Sequence, residues 1–321
     1  MSDTQAPSVR HVTIDAANVG QRIDNFLRLH LKGVPKARIY RGLRKGEVRV
    51  NKGRVRQDYK LRDGDSVRIP PLRINDARTP VTPGNSSLAT LDAAILYEDS
   101  RLLLLNKPPG WAVHGGSGRS YGIIEALRAL RPSAPYLELV HRLDRDTSGC
   151  LMIAKTRSSL TQLHALLRAS QVTKSYLTLV NGSPRKNRLQ ISSSLRKQVM
   201  RSGERMVQTD EGGKSALTIV DVLDRTPVAS LLRARIITGR THQIRVHLSS
   251  VGHQIAGDEK YGSAEFNKTA RGWGLKRLFL HAHRLSFKLG GEAHQFEAPL
   301  PDSLHQLLIK LGLEMAEENA D

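Results

Sequence analysis

The sequence predicts an α+β fold divided into two domains, and three observations support that prediction. In some segments, such as residues 22–31, apolar residues recur at helical spacing. In others, such as residues 150–154, they form short continuous runs typical of buried strands. Residues 77–89 are rich in Pro, Gly, Asn and Ser and poor in large apolar residues, a composition that indicates a linker.

The length of the chain also allows two domains, because 321 residues suffice for a sizeable core. We place a disordered tail at residues 1–12 and a first domain at 13–76. The linker at 77–89 leads to a second domain at 90–313. Residues 314–321 are acidic, and we expect them to form a frayed tail.

The composition is strongly basic and limits the classes of partner. The chain carries 50 Lys and Arg against 30 Asp and Glu, a net charge of +20, which predicts a nucleic acid or an anionic membrane surface as partner. A membrane is disfavoured, because no apolar run approaches the roughly 20 residues of a membrane span. The first ten residues are polar and the chain has one cysteine, Cys150, so we expect a cytoplasmic protein without a disulfide.

Half of the net charge falls within residues 13–74 of the first domain. Residues 13–74 contain 16 basic and 6 acidic residues, and basic residues dominate a predicted second helix that starts after Pro35 and ends at Gly46. The basic side chains of that helix are Lys36, Arg38, Arg41, Arg44 and Lys45. A helix face that is merely solvated usually mixes both signs, so this pattern favours binding to phosphates.

In the second domain, residues 141–149 form a dense polar segment that leads directly into the apolar run 150–154. The segment is therefore predicted to be a loop next to a core strand, and functional residues concentrate in such loops. In it, Asp144 lies between Arg142 and Arg145, and nearby positive charge is expected to lower its pKa and favour a nucleophilic or electrostatic role. On composition alone, an exposed loop with a surface ion pair is the commoner explanation.

Three further features of the second domain bear on its function. Tyr176 lies in the predicted strand 174–180, where a tyrosine usually packs in the core but could also stack on a base. Thr241 is expected to cap a helix that begins at His242. The glycine-rich segment 106–118 lacks the Gly-Lys-Ser/Thr of a nucleoside triphosphate site, so we reject that site.

A metal site is also disfavoured by the sequence. His242 and His247 are five residues apart and do not share a helix face as metal-binding histidines four apart would. His281 and His283 could share one face of a strand, but the chain has a single cysteine and no His-Glu-x-x-His motif. We therefore expect no bound metal.

Two segments resemble known signatures. His-Arg-Leu-Asp-Arg-Asp-Thr-Ser-Gly at 141–149 and Gly-Arg-Thr-His-Gln-Ile-Arg at 239–245 resemble the signatures of the RluA-type pseudouridine synthases, and residues 13–76 resemble an S4 RNA-binding domain. The resemblance implies a mixed, largely antiparallel sheet with flanking helices after the S4 domain. One departure is Lys288-Leu289, where the family usually has His-Pro, and it affects no residue with a chemical role.

The resemblance also implies roles for individual residues. Asp144 would be the nucleophile, Arg245 its ion-pair partner, and Tyr176 the residue that stacks on the uracil. Arg142 would fill the space left by a nucleotide that is flipped out of its stack. In the S4 domain, the residues expected along RNA phosphates are Arg22, Lys36, Arg38, Arg41, Arg44, Lys45 and Lys52.

The reaction implied is the isomerisation of uridines in 23S rRNA, free or in a pre-50S particle, by a monomer. Because one bond is broken and remade without redox change, no cofactor is expected. We consider two alternatives. The first is a non-catalytic S4-type RNA-binding chaperone, and the second is a metal-dependent RNA-processing enzyme that uses His242, His247 and His281.

Overall fold

The chain folds into two units, Met1–Val81 and Thr82–Asp321. The computed structural model describes residues 8–16, 18–31, 34–71, 83–115, 121–199 and 205–315 of them. Residues 1–7 of the predicted first tail, 77–82 of the predicted linker and 316–321 of the predicted last tail lie outside these ranges.

The first unit combines two helices with an antiparallel three-stranded sheet of order β1-β3-β2, as far as the structure describes it. Its elements are β1 (Arg10–Thr13), α1 (Ile23–His30), α2 (Lys36–Lys45), β2 (Arg49–Val50) and β3 (Ser66–Ile69). Phe26, Ile39 and Val67 lie in its own hydrophobic core. The helix end predicted at Gly46 is confirmed, because Gly46 adopts φ 69°, a left-handed conformation typical of a helix C-terminus.

The assignment of residues 10–12 to a disordered tail was wrong. They belong to β1, which pairs with β3 from Arg10 opposite Ile69 to Thr13 opposite Ser66. Val12 packs against the core of the unit. The strand was missed because four residues with one inward-facing apolar side chain carry almost no periodic signal, whereas the free edge of β3 supplies the hydrogen-bond partners.

Within its described residues, the second unit contains eleven strands in one sheet. They are β4 (Ile95–Glu98), β5 (Leu102–Lys107), β6 (Glu138–Leu139), β7 (Ser148–Ala154), β8 (Thr173–Asn181), β9 (Arg188–Val199), β10 (Arg205–Thr209), β11 (Lys214–Arg225), β12 (Ala229–Ile236), β13 (Leu280–Leu289) and β14 (Glu292–Glu297). The main order is β10-β9-β11-β12-β8-β13-β7-β5-β4, with β14 paired to β13 and β6 to β7. β13 and β7 run parallel and the other described pairs antiparallel, so the sheet is mixed, as the resemblance implied.

Helices flank both faces of this sheet. They are α3 (Asn85–Ala93), α4 (Ile123–Leu130), α5 (Arg157–Arg168), α6 (Gln243–Ser250), α7 (Ala264–Gly272) and α8 (Asp302–Leu311). Along β8, Tyr176 and Val180 belong to the core that includes α4 and α5, whereas Leu177 and Leu179 belong to the core that includes α7 and α8. Alternate residues of a strand point to opposite faces, so the two cores cover opposite sides of the sheet.

The C-terminal half of the predicted linker was also wrong. Residues 85–89 form the start of α3, in which Leu91 is buried and Leu88 packs against the main core. Asn and Ser are weak helix formers, so the local composition indicated a loop, and tertiary packing overrides that preference. None of the described helices combines the length and apolar composition of a membrane span.

Strand β7 positions the polar segment 141–149. All seven of its residues are buried, as expected for a central strand covered on both faces. Gly149 adopts φ 105°, and a Cβ at this position would collide with the carbonyl oxygen of Ala282 on the parallel strand β13. Glycine is therefore required where the segment enters the sheet, because the two backbones approach so closely.

Candidate active site

The loop that carries Asp144 is anchored at both ends. On one side, His141 accepts a hydrogen bond at Nε2 from the backbone N–H of Met152 at 3.1 Å, and Leu143 is buried. Burial lowers the pKa of His141 to about 4, so its ring is a neutral structural acceptor at neutral pH. On the other side, the N–H of Thr147 bonds to the carbonyl of Asp144 at 3.2 Å. The turn therefore places the Asp144 carboxylate at the wall of a cavity, and the Asp144 side chain is 17% exposed.

The carboxylate of Asp144 is approached by two groups from the segment 239–245. Nη1 of Arg245 lies 3.4 Å from Oδ2 of Asp144, and Nε2 of His242 lies 3.7 Å from the same oxygen. The structure thus brings Arg245 to Asp144 across 101 residues of sequence. Of the two arginines that flank Asp144 in the sequence, Arg145 pairs with Asp146 at 3.0 Å and Arg142 is exposed.

Arg245 is itself held by a second carboxylate, Asp258. Its Nε and Nη2 donate to the two oxygens of Asp258 at 2.7 and 2.8 Å, a bidentate pair in which Asp258 is 1% exposed. Burial alone would raise the pKa of Asp258, but Arg245 and the N–H groups of Lys260 and Tyr261 lower it below its ordinary value. Asp258 therefore fixes the position of the guanidinium that contacts Asp144.

Asp258 was missed by the sequence analysis. The available signal was a lone aspartate between glycines, in the segment Ala-Gly-Asp-Glu-Lys-Tyr-Gly at 256–262. Gly257 has φ 74°, and a Cβ at Gly262 would collide with the carbonyl oxygen of Asp258. Such a pattern indicates a tight turn but does not say which side chain the aspartate binds.

Tyr176 lines the same cavity as Asp144. It lies on β8 opposite Ala234 of β12 and Ala282 of β13, and it is 7% exposed. Burial and, to a lesser extent, the charge of Asp144 raise the pKa of Tyr176 above its ordinary value, so the hydroxyl stays protonated at neutral pH. The residue is both part of the core and part of the cavity wall, so the two interpretations of its position are compatible.

His242 begins the helix after the second signature in an unusual conformation. It has φ 53°, a left-handed conformation that costs a non-glycine residue roughly 1–3 kcal/mol. The prediction that Thr241 caps the helix was wrong, because His242 is the capping position and α6 starts at Gln243. The Gln243 side chain donates to the carbonyl of Leu217 and accepts from the N–H of Arg240, which fastens this turn to β11.

The imidazole of His242 has partners on both sides. Nδ1 lies 2.8 Å from the hydroxyl of Tyr261, while Nε2 faces Asp144. Burial lowers the pKa of His242, and this outweighs the opposite effect of Asp144, so the ring is neutral at neutral pH. The Tyr261 ring also lies against Arg245, with the guanidinium carbon 5.0 Å from the ring centroid.

Lys107 supports the Asp144 loop and was not identified from the sequence. It is fully buried, and its Nζ donates to the carbonyls of Pro108, Trp111 and Arg145 at 2.8–2.9 Å. Burial is the main cause that lowers the pKa of Lys107 to about 7. The three carbonyls match the three N–H groups of a charged ammonium, and they join the loop after β5 to the loop of Asp144.

The histidines of the metal alternative are engaged in separate hydrogen bonds. His247 bonds through Nδ1 to Thr218, and His281 bonds to Ser148 and to the carbonyl of Ala298. Burial lowers the pKa of His281 to about 4. Across the described ranges, no group of three or more His, Cys, Asp or Glu side chains is arranged to hold a metal ion.

The predicted phosphate-binding residues of the first unit fall into different environments. Arg22 pairs with Asp24 at 2.9 Å and Arg38 with Glu47 at 2.6 Å. Arg22 is nevertheless exposed, as are Arg41, Arg44, Lys45 and Lys52. The side chain of Lys36 lies outside the described residues.

A concave surface of the first unit contains basic residues that the sequence analysis did not single out. Arg49 and Arg68 line it beside Lys52 and His11. Their guanidinium groups are held by backbone carbonyls, those of Gly46 and Lys52 for Arg49 and that of Glu47 for Arg68. Their alternation along β2 and β3 was visible in the sequence, but strand pairing is what brings them together.

The chain is similar to known proteins over most of its length. A family model described as RNA pseudouridylate synthase matches residues 101–250. A protein of Escherichia coli O157:H7 named ribosomal large subunit pseudouridine synthase C is 53% identical over 313 residues, which cover 96% of this chain and 98% of that protein. A protein of the same name from Haemophilus influenzae is 52% identical over 309 residues, 95% of each.

Two solved human structures are also similar. RNA Pseudouridylate Synthase Domain Containing 4 is 28% identical with a TM-score of 0.62, and covers 73% of this chain and 98% of its own. RNA Pseudouridylate Synthase Domain Containing 1 is 25% identical with a TM-score of 0.57, and covers 74% of this chain and 100% of its own.

Proposed function

Because the chain belongs to the RNA pseudouridylate synthase family, we propose that it isomerises uridines of bacterial 23S rRNA, with Asp144 as the reactive carboxylate. The rRNA substrate is supported by relatives that are named for the ribosomal large subunit and match along nearly the whole chain. The observation that carries the chemistry is the Asp144 carboxylate, which is held on one oxygen by a locked arginine in a cavity that it shares with Tyr176.

The reaction exchanges one glycosidic bond for another. The target uridine leaves its stack so that its sugar can reach Asp144. As Asp144 acts at the sugar, the bond between C1′ and N1 breaks and its electron pair leaves with the uracil. The uracil turns in the cavity and C5 bonds to C1′. The proton on C5 is then lost and N1 gains one, so the composition of the RNA is unchanged.

The residues around Asp144 have different roles in this reaction. Arg245 attracts and orients the carboxylate, and Asp258 prevents the guanidinium from moving with it. Tyr176 is the ring against which the uracil stacks, with its hydroxyl protonated. Arg142, exposed at the edge of the cavity, enters the space that the flipped nucleotide leaves.

The first unit is proposed to be an S4 domain that binds RNA phosphates. The support is an exposed basic surface that includes Arg41, Arg44 and Lys45 on α2, together with the concave surface of Arg49, Lys52 and Arg68. Contacts of this kind position an enzyme on RNA without reading its sequence. Since bacterial ribosomes are assembled in the cytoplasm, the proposal implies a cytoplasmic enzyme.

A tritium-release assay on large-subunit rRNA labelled at uracil C5 tests the proposal. The wild type should release label, because the C5 proton is lost in every turnover. Asp144→Asn should bind the same RNA but release none. If the wild type binds and releases no label, the chain is the non-catalytic RNA-binding protein of the alternative. If Asp144→Asn releases label at the wild-type rate, the reactive residue is wrongly assigned.

A further inference from the structure

We propose that His242 is a positioning residue for Asp144, and that its Nε2–H and the Nη1–H of Arg245 together hold Oδ2 so that Oδ1 faces the sugar. The inference rests on the proposed function and deepens it, because it names which oxygen of the carboxylate reacts. It gives a role to a residue that the sequence analysis considered only as a helix start and as a rejected metal ligand.

The two contacts of Asp144 fall on one oxygen. Among the described residues, the side-chain partners within ion-pair distance are Nη1 of Arg245 at 3.4 Å and Nε2 of His242 at 3.7 Å, and both approach Oδ2. The other two nitrogens of the Arg245 guanidinium, Nε and Nη2, donate to Asp258. A single long contact would let the carboxylate rotate about its bond to the Cβ, whereas a second donor from another direction restricts that rotation.

The groups on the two sides of the His242 ring determine which of its nitrogens carries the proton. The hydroxyl of Tyr261 accepts the backbone N–H of Val207 at 3.0 Å, so its own proton is free to be donated. It lies 2.8 Å from Nδ1 of His242. The Asp144 carboxylate beside Nε2 attracts a donor and repels a lone pair, so the proton is favoured on Nε2 and Nδ1 accepts from the Tyr261 hydroxyl. Nε2 is the nitrogen that faces Asp144, so the ring presents a donor to the carboxylate rather than a lone pair.

The backbone supports a functional explanation of this placement. His242 adopts φ 53° between the turn 239–241 and α6, where a side chain of ordinary conformation would point elsewhere. Residues kept in such conformations concentrate at functional sites. Here the strained residue lines the cavity, and Tyr261, which orients its ring, also packs on Arg245. The distance of 3.7 Å is expected to shorten when the substrate fills the cavity.

The test compares three variants with a matched control. His242→Asn keeps a residue that tolerates the left-handed conformation but has an amide too short to reach Asp144. His242→Gln restores an N–H donor of longer reach. Tyr261→Phe removes the hydroxyl that orients the ring. His253→Gln is the control, because His253 is partly buried in the same unit but bonds to the carbonyl of Asn181.

We expect the His242 variants to have a lower kcat and a nearly unchanged KM. His242→Asn should lower kcat by roughly ten- to a hundredfold, the value of a hydrogen bond to a charged group, with KM nearly unchanged. His242→Gln should recover part of the loss, and Tyr261→Phe should show a smaller one. His253→Gln should match the wild type. Thermal unfolding of each variant shows whether a loss of activity reflects a loss of fold.

A substrate with 5-fluorouridine at the target position separates positioning of Asp144 from removal of the C5 proton. Fluorine replaces that proton, so only the earlier bond cleavage and reattachment can occur. If His242 positions Asp144, His242→Asn slows single-turnover consumption of the fluorinated and the natural uridine by the same factor. If it slows the natural substrate alone, His242 acts on the C5 proton and the inference is overturned.

The outcomes also separate this inference from the proposed function. An inactive Asp144→Asn together with His242→Asn at the wild-type rate leaves the function intact and overturns the role of His242. An Asp144→Asn that releases label at the wild-type rate overturns the assignment of Asp144, and a wild type that binds the RNA but releases no label overturns the function itself. If His242→Asn does not fold, the ranking of wild type, Tyr261→Phe and His242→Gln decides, and equal kcat in all three overturns the inference.

Discussion

Two carboxylates lie on either side of Arg245, and they are held in opposite ways. Asp258 is buried and bound through both oxygens at 2.7 and 2.8 Å, with two backbone N–H groups on one of them. Asp144 is 17% exposed and is touched on one oxygen at 3.4 Å. A carboxylate with saturated hydrogen bonds is a structural anchor, whereas one with a free oxygen at a cavity can react.

The contrast predicts that changing Asp144 to asparagine mainly lowers turnover, whereas changing Asp258 to asparagine mainly lowers stability. Asp144→Asn should reduce turnover by at least about a thousandfold, because the amide is a poor nucleophile, while stability and RNA affinity stay close to those of the wild type. Tritium release, thermal unfolding and filter binding measure the three quantities. A variant that loses fold and activity together would mean that Asp144 is as structural as Asp258.

Asp258→Asn should act first on stability. Removal of the Asp258 charge breaks the buried bidentate pair with Arg245 and should cost roughly 3–5 kcal/mol in the free energy of unfolding. Activity should also fall, because a guanidinium that is no longer fixed by Asp258 cannot hold the Asp144 carboxylate in one orientation. Urea unfolding at neutral pH measures the cost. A loss below about 1 kcal/mol, typical of an exposed pair, would remove the difference between the two sites.

The pH dependence of stability sharpens the same contrast. The folded-state pKa of Asp258 is lowered below the ordinary value of 3.8, so the unfolded state binds its proton first as the pH falls. Its stabilising effect is therefore present above pH 3.8 and is lost as the pH falls through the lower folded pKa. The stability difference between wild type and Asp258→Asn should accordingly shrink below about pH 4. A constant difference down to pH 2 would contradict this.

Lys107→Met tests whether the loop of Asp144 depends on its support. The change leaves the carbonyls of Pro108, Trp111 and Arg145 without their buried donor, which should cost about 1–3 kcal/mol. Turnover should fall with little change in RNA affinity, because the loop shifts and the first unit is untouched. Lys155→Met is a suitable control, since Lys155 pairs with Glu98 near the surface. Equal effects of the two changes would argue against a specific support role.

The smallest effect is expected from Arg49, a guanidinium held by carbonyls rather than by a buried carboxylate. Arg49→Ala should weaken rRNA binding and reduce the slope of log affinity against log salt by about one unit or less. Arg56→Ala, a change of an arginine that lies outside the concave surface and is 85% exposed, should alter the slope less. Identical slopes for both variants and the wild type would count against the concave surface as a phosphate site.

Much of the fold was accessible from the sequence because its signals are local. The apolar stripe of α1, the glycine that ends α2 and the buried run of β7 depend on neighbours within one element. The short edge strand β1 and the polar helix α3 were not accessible, because each is stabilised by packing against residues far away in the chain.

For the candidate site, the sequence by itself determined that a charged loop enters the core at Asp144, and the resemblance supplied Arg245 and Tyr176. Only the tertiary structure decided that Asp258 locks Arg245 and that His242 turns its ring toward Asp144. The physical reason is distance along the chain. Asp144 and Arg245 are 101 residues apart, and what joins them is the packing of the elements around the sheet, which no local periodicity records.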